Sequence, residues 1–352
     1  MGVFKLKNLK RNFIYILVIS ILFSSLTLNV GSINLSNFLK EKNFETNNDD
    51  DFYFVQITDT HVINAQSYKE KFLRIISHVS EFKEKPAFIV ITGDLVEWGG
   101  RGLSGALNYQ ALTSCLYQDE GQFYADSDLA IPIYFTPGNH DYCFDRSLEN
   151  YHNYISNEYV DTNDNYIIEY KNLTMFFMNS GPNYYDDPMD WADVMGDGLY
   201  ESDIIWFEDN LINYSSKHKI VLMHHPVVND RNKDNEMHNV IARNRVEFID
   251  LCEIYDVDIV LTGHTHRSVI FDKDENKFYK EPINCSKYPP LYIQTDDCKQ
   301  DSNYRNISII DNDIWIEETQ EIDININPVN RNLFRFSFNI LELLEILKSR
   351  IY

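Results

Sequence analysis

Five short polar segments of the chain carry residue types that commonly bind metal ions, and each follows an apolar run. In chain order they are Asp59-Thr60-His61, Gly93-Asp94, Gly138-Asn139-His140-Asp141, His224-His225 and Gly263-His264-Thr265-His266. Six of the ten histidines fall within these segments. Imidazole nitrogens combined with carboxylate and amide oxygens suit Mn, Fe, Zn or Co better than Ca. The segments therefore predict a site for transition-metal ions.

The spacing within the segments favours two ions rather than one. Asp59 and His61 are two residues apart, as are His264 and His266. Two donors on one short turn can bind one ion or straddle two. Asp94 follows a glycine without a second donor beside it, which suits a carboxylate that bridges two cations. Each motif alone is common, since a Gly-Asp pair is a frequent turn, but five in succession at predicted strand ends indicate one site.

The apolar runs before these segments indicate buried β-strands. They are Phe52–Ile57, Ala87–Thr92, Ile131–Phe135, Lys219–Met223 and Val257–Leu261. Apolar residues at helical spacing lie between them, at 68–82, 106–116, 202–211 and 243–255. This alternation predicts an α/β fold with much parallel pairing. Ligands in such sheets bind beyond the carboxyl ends of the strands, so the five loops are expected to converge.

The order of the five motifs resembles that of the calcineurin-like metallophosphoesterase superfamily, over roughly residues 52–320. The resemblance implies a four-layer α/β/β/α sandwich with the metal site at the sheet edges, in one catalytic domain over residues 51–321. It also implies hydrolysis of phosphomono- or diesters by attack of a hydroxide that bridges two metal ions. The tyrosine that binds iron in purple acid phosphatases has no counterpart here, which favours Mn, Zn or Fe(II).

Carried over residue by residue, the resemblance implies two sets of metal ligands that share one carboxylate. The first set is Asp59, His61, Asp94 and His266. The second set is Asp94, Asn139, His224 and His264, with Asp94 as the bridge. His224 is favoured over His225 because it comes first after the strand. His225 is then expected to face substrate or to support a ligand.

Two residues of the third motif are candidates for catalysis. His140 is not expected to bind metal, and the resemblance implies that it protonates the leaving oxygen or stabilises the transition state. Asp141 follows it directly, and it would either hold the imidazole in one orientation or cap the loop. Glu97 could support a metal ligand, although an exposed position is the expectation for it.

The composition limits the partners of this chain. Its formal net charge is −23 at pH 7, so it lacks the basic surface with which proteins bind nucleic acids. A small phosphorylated substrate is compatible with this charge, because bound cations reverse the local field. Five cysteines occur without any C-x-x-C spacing, which argues against a thiolate zinc site. Pairings of Cys285 with Cys298 and of Cys115 with Cys143 are candidate disulfides in an exported protein.

The two ends of the chain differ from the central part. Residues 1–32 combine a basic start with an apolar stretch from Phe13 to Val30, a pattern typical of a signal peptide or an uncleaved signal anchor. We therefore expect export, with the protein secreted or anchored to the outer face of the membrane. Residues 333–352 have the spacing of an amphipathic helix that packs on the domain, lies on a membrane or mediates assembly. Either end is thus a candidate for membrane association.

Overall fold

The computed structural model describes residues 50–118, 122–123, 131–143, 145–155, 164–183, 195–230 and 239–322. The predicted signal segment at 1–32 and the predicted amphipathic helix at 333–352 lie outside these residues. Within the described ranges, no helix has both the length and the apolar character needed to cross a membrane.

Strands and helices alternate along much of the described chain. The strands are β1 (Phe52–Ile57), β2 (Ile89–Thr92), β3 (Tyr117–Gln118), β4 (Gln122–Phe123), β5 (Ile133–Thr136), β6 (Tyr166–Tyr170), β7 (Leu173–Phe177), β8 (Gly196–Gly198), β9 (His218–Leu222), β10 (Ile241–Arg243), β11 (Ile259–Thr262), β12 (Val269–Phe271), β13 (Lys277–Phe278), β14 (Ile283–Asn284), β15 (Leu291–Gln294), β16 (Asn303–Ile310), β17 (Asp313–Ile316) and β18 (Gln320–Glu321). The helices are α1 (Gln66–Ser80), α2 (Leu103–Leu116), α3 (Asn139–Tyr142), α4 (Glu149–Tyr154), α5 (Glu201–Asn213), α6 (Arg245–Ile254) and α7 (Cys298–Asp301).

Two large mixed sheets carry the predicted site residues at their edges. The first has the order β14-β17-β16-β1-β2-β5, with β18 paired to β16, and the second has the order β13-β12-β15-β11-β9-β7-β6. β1, β2 and β5 run parallel to one another, as do β7, β9, β11 and β15. Their carboxyl ends therefore meet at one edge of each sheet, which is where ligands bind in such folds.

The two sheets pack face to face, and helices cover their outer faces. Side chains such as Phe54 and Leu222 fill the space between the sheets. Ile57 packs with Phe72 of α1 on the outer face of the first sheet, and Phe207 of α5 belongs to the core on the outer face of the second. This arrangement is the α/β/β/α sandwich that the resemblance implied.

The sequence patterns explain why these elements form where they do. Every residue of β2 and of β11 is buried, which accounts for their continuous apolar runs. In α1 the buried residues are Phe72, Ile75, Ile76 and Val79, one face of a helix. The predicted elements are confirmed, with shifts at their ends; α2, for example, begins at Leu103 rather than residue 106.

The structure contains no disulfide among the described residues, so the two candidate pairings were wrong. All five cysteines have free thiols. Cys285 lies in the core between the sheets, whereas Cys298 and Cys115 lie in the core between the first sheet and its helices. Cys143 is partly exposed in the turn after α3. A sheet therefore separates the partners of the first pairing.

A buried arginine on the first sheet binds to loops next to both sheets. Arg305 on β16 is the largest fully buried side chain. Its guanidinium donates to Glu281 Oε2 at 3.0 Å, to the Glu317 carbonyl at 2.6 Å and to Thr319 Oγ1 at 2.8 Å. It also donates to Thr295 Oγ1 at 3.2 Å, just after β15. The charge is thus fully surrounded by acceptors, as a buried guanidinium requires.

We predict that Arg305→Leu lowers the free energy of unfolding by roughly 3–5 kcal/mol, because Glu281 then stays buried without its cation. Urea denaturation measures this. The control is Arg101→Leu, which breaks the exposed ion pair with Glu149 (2.7 Å) and is expected to cost less than about 1 kcal/mol. Equal losses for the two variants would contradict the assignment.

Candidate metal centre

The loops after the strands hold the predicted ligands in a strained backbone conformation. Residues other than glycine seldom adopt positive φ, and the cost is about 1–3 kcal/mol each. Such residues persist only where the surrounding structure enforces them, which makes their concentration at one place a sign of function. The predicted ligands with a left-handed backbone are Asp59, His61, Asp94, His264 and His266, with φ angles of 51°, 43°, 50°, 67° and 50°.

Two glycines allow the edges of the two sheets to approach each other closely. Gly93 has a φ of +84°, and a Cβ atom there would lie 2.4 Å from His224 Nδ1 of the opposite sheet. A Cβ atom at Gly263 would lie 1.9 Å from Thr58 Oγ1. Any larger residue would therefore push the strand ends apart, so these glycines are required for the loops to meet.

The first predicted ligand set forms a compact buried cluster. Asp59 Oδ1 lies 3.2 Å from His266 Nε2 and 3.7 Å from His61 Nε2. His61 Nε2 lies 3.5 Å from Asp94 Oδ2. Asp59 Oδ1 and His61 Nε2 are buried but make no well-formed hydrogen bond within the described structure. Donor atoms that face one another in this way fit a cation at their centre.

The second predicted set is adjacent and shares one oxygen with the first. His224 Nε2 lies 3.3 Å from Asp94 Oδ2 and 3.1 Å from Asn139 Oδ1. His264 Nδ1 lies 3.1 Å from the same Asn139 oxygen and 3.3 Å from His224 Nε2. Asp94 Oδ2 is therefore close to a histidine of each set. The seven predicted ligands lie in one cluster.

Outer partners fix which nitrogen each histidine turns toward the cluster. A histidine that binds metal usually donates its other N–H to a carboxylate or a carbonyl, which fixes its tautomer and ring orientation. Three histidines place their other nitrogen beside such an acceptor. His61 Nδ1 lies 2.9 Å from Glu97 Oε2, His224 Nδ1 lies 2.9 Å from the Thr92 carbonyl oxygen, and His266 Nδ1 lies 3.3 Å from Asp297 Oδ2.

Of these outer partners, Asp297 was not identified from sequence, and the expected position of Glu97 was wrong. Glu97 was named as a possible support for a metal ligand but expected to be exposed, whereas its side chain is largely buried (18% exposed) against His61. The positive charges of His61 and Lys299 outweigh its burial and lower the pKa of Glu97 to about 2. Asp297 has the same sequence pattern as the predicted ligands. It is an acidic residue shortly after a buried strand, here β15.

His140 lies beside the first cluster, and a backbone carbonyl holds its ring. Its Nδ1 is 2.8 Å from the Glu97 carbonyl oxygen, and its backbone N–H donates to Asp94 Oδ1 at 2.8 Å. The ring meets His61 edge to face at a centroid distance of 4.5 Å. The backbone of this residue thus orients the shared carboxylate, while its side chain borders the site.

Asp141 does not orient His140, and that alternative was wrong. Its carboxylate accepts hydrogen bonds from the backbone N–H groups of Gly138 (2.8 Å) and Leu95 (3.2 Å) and from the Tyr109 hydroxyl (2.7 Å). The side chain turns back into the protein because Asp141 is the third residue of α3, and its carboxylate accepts from the N–H of Gly138 just before the helix, where backbone N–H groups lack partners. Asp141 therefore has the capping role, and it ties the third motif to the second.

His225 occupies a separate buried position. Its Nδ1 is 2.9 Å from Ser180 Oγ, and its ring lies 4.4 Å from that of His264. Complete burial, followed by the nearby His264 and His224, lowers the pKa of His225 well below its usual range. Asn139 and Asp94 contact His224 instead, which agrees with His224 as the preferred ligand.

The carboxylates of the cluster keep two of its histidines protonated when no metal is bound. Burial alone would lower the pKa of His61, but the neighbouring carboxylates of Asp59, Glu97 and Asp94 raise it to about 10. Burial likewise opposes the charges of Asp94 and Asp59, which raise the pKa of His224 to about 9. Cations that bind here must therefore displace protons.

A cavity of about 500 Å³ opens onto the cluster. It is large enough for a small molecule and brings solvent to the shared carboxylate. The residues that line it are His61, Asp94, Asn139, His140, Asn183, His264, Thr265, His266, Lys299 and Gln300.

Comparison with known proteins agrees with this geometry. The model of the calcineurin-like phosphoesterase family matches residues 52–268. The chain is 25% identical over 227 residues to the probable glycerophosphodiester phosphodiesterase GpdQ of Arcobacter nitrofigilis, a match that covers 60% of this chain and 71% of that protein.

Solved structures share the fold at low sequence identity. GAP50, the anchor in the inner membrane complex of Plasmodium, matches with a TM-score of 0.50 and 12% identity, covering 78% of this chain and 89% of GAP50. Purple acid phosphatase PPD1 from yellow lupin matches with a TM-score of 0.50 and 11% identity, covering 77% of this chain and 51% of the lupin enzyme. Because the family match spans most of the chain and contains all five motifs, the chain belongs to the calcineurin-like phosphoesterase family and is a phosphoric ester hydrolase.

Proposed function

We propose that this chain binds two divalent transition-metal ions at the candidate centre and there hydrolyses small phosphomono- or diesters. One observation carries the proposal. Asp94 Oδ2 lies 3.5 Å from His61 Nε2 and 3.3 Å from His224 Nε2, so one carboxylate serves both ligand sets. A carboxylate that faces donors of both ligand sets is suited to bridge two cations.

The residues present fit such a pair of ions. Nitrogen and oxygen donors in this proportion suit Mn, Zn or Fe(II). When bound, two such cations would activate a water as the nucleophile and offset the negative charge of the phosphoryl group. The orphaned buried atoms Asp59 Oδ1 and His61 Nε2 would gain a partner in the first ion.

The chain's own contribution to the chemistry lies with His140. The Glu97 carbonyl oxygen accepts a hydrogen bond from its Nδ1–H and fixes the ring. In its imidazolium form the ring can then donate the Nε2 proton to the oxygen of the departing alcohol, and it becomes neutral while Nδ1–H stays on the Glu97 carbonyl. Its backbone N–H meanwhile holds Asp94 in the orientation that serves both ligand sets.

The cavity supports a small and polar substrate. Apart from the predicted ligands and His140, the lining consists of Asn183, Thr265, Lys299 and Gln300. These side chains offer hydrogen bonds and one positive charge rather than an apolar surface. The relative from Arcobacter nitrofigilis is named for a phosphodiester, which makes diesters the first substrates to test.

We also propose that the protein is exported, and that residues 1–32 are either removed or retained as an anchor. The basic residues before the apolar stretch at 13–30 support this proposal. We predict that the expressed chain appears outside the cytoplasm, where N-terminal sequencing shows whether cleavage occurs. Retention in the cytoplasm of the native host would contradict it.

We predict metal-dependent turnover of p-nitrophenyl phosphate or bis-p-nitrophenyl phosphate by the purified full-length chain. Stripping the metal should abolish activity, and Mn, Zn or Fe(II) should restore it.

Asp94→Asn is expected to lower kcat/KM by at least about 10²-fold, because it weakens the bridge between the two ions. His140→Ala is expected to lower kcat by about 10²–10⁴-fold while metal content is kept.

The matched controls are Asp274→Asn and His152→Ala, both at positions outside the cavity. Neither should change kcat/KM by more than about twofold, as expected of surface substitutions. Two bound ions without turnover of either ester would contradict the phosphoester substrate. No bound metal would contradict the dinuclear centre itself and would favour a non-catalytic scaffold.

We further predict that metal affinity rises with pH. In the metal-free protein His61 and His224 carry protons at pH 7, since their pKa values are about 10 and 9. Bound cations require neutral imidazoles, so each proton displaced makes binding about tenfold tighter per pH unit. Calorimetric titration with Mn²⁺ or Zn²⁺ between about pH 6 and 8, in buffers of different ionisation enthalpy, measures the protons released. An affinity independent of pH would contradict the prediction.

A further inference from the structure

A fixed positive charge lies in the wall of the cavity. Among the ten lining residues that the structure describes, Lys299 is the single lysine or arginine. The protein around it is strongly acidic, with a formal net charge of −23. Lys299 also lies beyond residues 52–268, the part of the chain that matches the family model. Its position is therefore a property of this chain rather than of the shared motifs.

The ammonium group of Lys299 is held next to the metal ligands. Its Nζ lies 2.8 Å from Glu97 Oε2, the oxygen that also contacts His61 Nδ1 at 2.9 Å. The side chain keeps 29% of its surface exposed, on the side of the cavity. An ammonium has three N–H donors, and one carboxylate oxygen uses one of them. Two donors can thus be offered to a molecule in the cavity.

Asp297 and Lys71 hold the backbone around Lys299 in place. Asp297 accepts a hydrogen bond from the backbone N–H of Gln300 at 2.5 Å and contacts His266 Nδ1 at 3.3 Å. On the other side, Lys71 Nζ on α1 donates to the carbonyl oxygens of Lys299 (2.6 Å) and Gln300 (3.0 Å). The charge is therefore placed in advance of binding, and little ordering is required when an anion arrives.

We propose that Lys299 is a substrate-binding residue that donates a charge-assisted hydrogen bond to an anionic oxygen of the phosphoryl group. This inference rests on the proposed function and adds the residue that recognises the charge of the substrate. Glu97 contacts the ammonium, and the Lys299 side chain lines the cavity. A phosphoryl oxygen is a strong acceptor for such a donor.

Lys299 has one competing role, which is to position Glu97 and through it His61. The two roles predict different results. A residue that acts through His61 changes the affinity for metal, since loss of such an outer partner typically weakens metal binding by about 10–100-fold. A residue that binds the phosphoryl group changes KM and the inhibition by phosphate, and it leaves metal content unchanged.

The test compares Lys299→Met, Lys299→Arg and Glu97→Gln in the full-length, metal-loaded chain. The control is Lys287→Met, which removes the same charge from an exposed position outside the cavity. For each variant we would measure KM and kcat for the preferred p-nitrophenyl ester, the inhibition constant of inorganic phosphate, and bound metal by elemental analysis.

We expect Lys299→Met to raise KM and the phosphate inhibition constant about tenfold, the loss of one charge-assisted hydrogen bond. The metal content of Lys299→Met should stay at the wild-type level. Lys299→Arg should recover most of the affinity for substrate and phosphate, and Lys287→Met should have wild-type KM, phosphate inhibition and metal content. Glu97→Gln should instead lose metal. Loss of metal in Lys299→Met, or unchanged KM and phosphate inhibition, would overturn the proposal.

Failure of the proposed function would be distinguishable from failure of this inference. If the wild type hydrolyses neither ester, the proposed function fails. Calorimetric titration of inorganic phosphate into the metal-loaded proteins then still tests Lys299. Weaker binding to Lys299→Met than to the wild type and Lys287→Met supports the inference, and equal binding overturns it.

Discussion

The structure of the site depends on the burial of two carboxylates among imidazoles. Asp59 and Asp94 are almost fully buried, at 0% and 2% exposure, and both lie at the meeting point of the two sheets. Burial would raise the pKa of Asp94, but the charges of His224 and His140 hold it well below its usual range. Buried charges are stable only with such partners. The strand ends, the glycines and the outer partners all serve to keep donors beside these two groups.

The fold accepts local strain to satisfy this constraint. Left-handed backbone at Asp59, His61, Asp94, His264 and His266 turns each side chain toward the centre immediately after its strand. That conformation costs free energy at every one of these positions. The two large sheets and their three apolar cores supply the stability that keeps the loops in place. The same rigidity orients the shared carboxylate before any ion is bound.

The segment after β15 connects the candidate metal centre to the lysine proposed to bind substrate. Asp297, which precedes α7, contacts His266, and Lys299 of α7 contacts Glu97, which in turn contacts His61. This short segment thus places one carboxylate beside a predicted ligand and one positive charge in the wall of the cavity.

The sequence by itself determined the donors, their order and the strands that carry them. These features are local: residue type, apolar period and position after a strand can each be read within about ten residues. They predicted an α/β fold with parallel strands and one metal site, whereas the four-layer sandwich and the assignment of the seven ligands, from Asp59 to His266, were implied by the family resemblance. They also suggested two roles for Asp141 without choosing between them.

The tertiary structure decided which strand ends become neighbours, and with them the contacts between residues that are distant in sequence. The backbone N–H of His264 donates to Asp59 Oδ2 at 2.9 Å across 205 residues of sequence. The contacts of Lys299 with Glu97 and of Asp297 with His266 likewise join distant loops, so the tertiary structure decided which of these residues lie beside the predicted ligands. Asp141 turns toward Tyr109 rather than His140, and its carboxylate also accepts from Gly138 just before α3. Cys285 and Cys298 remain apart because the sheet topology places them in different cores, a consequence of packing rather than of spacing.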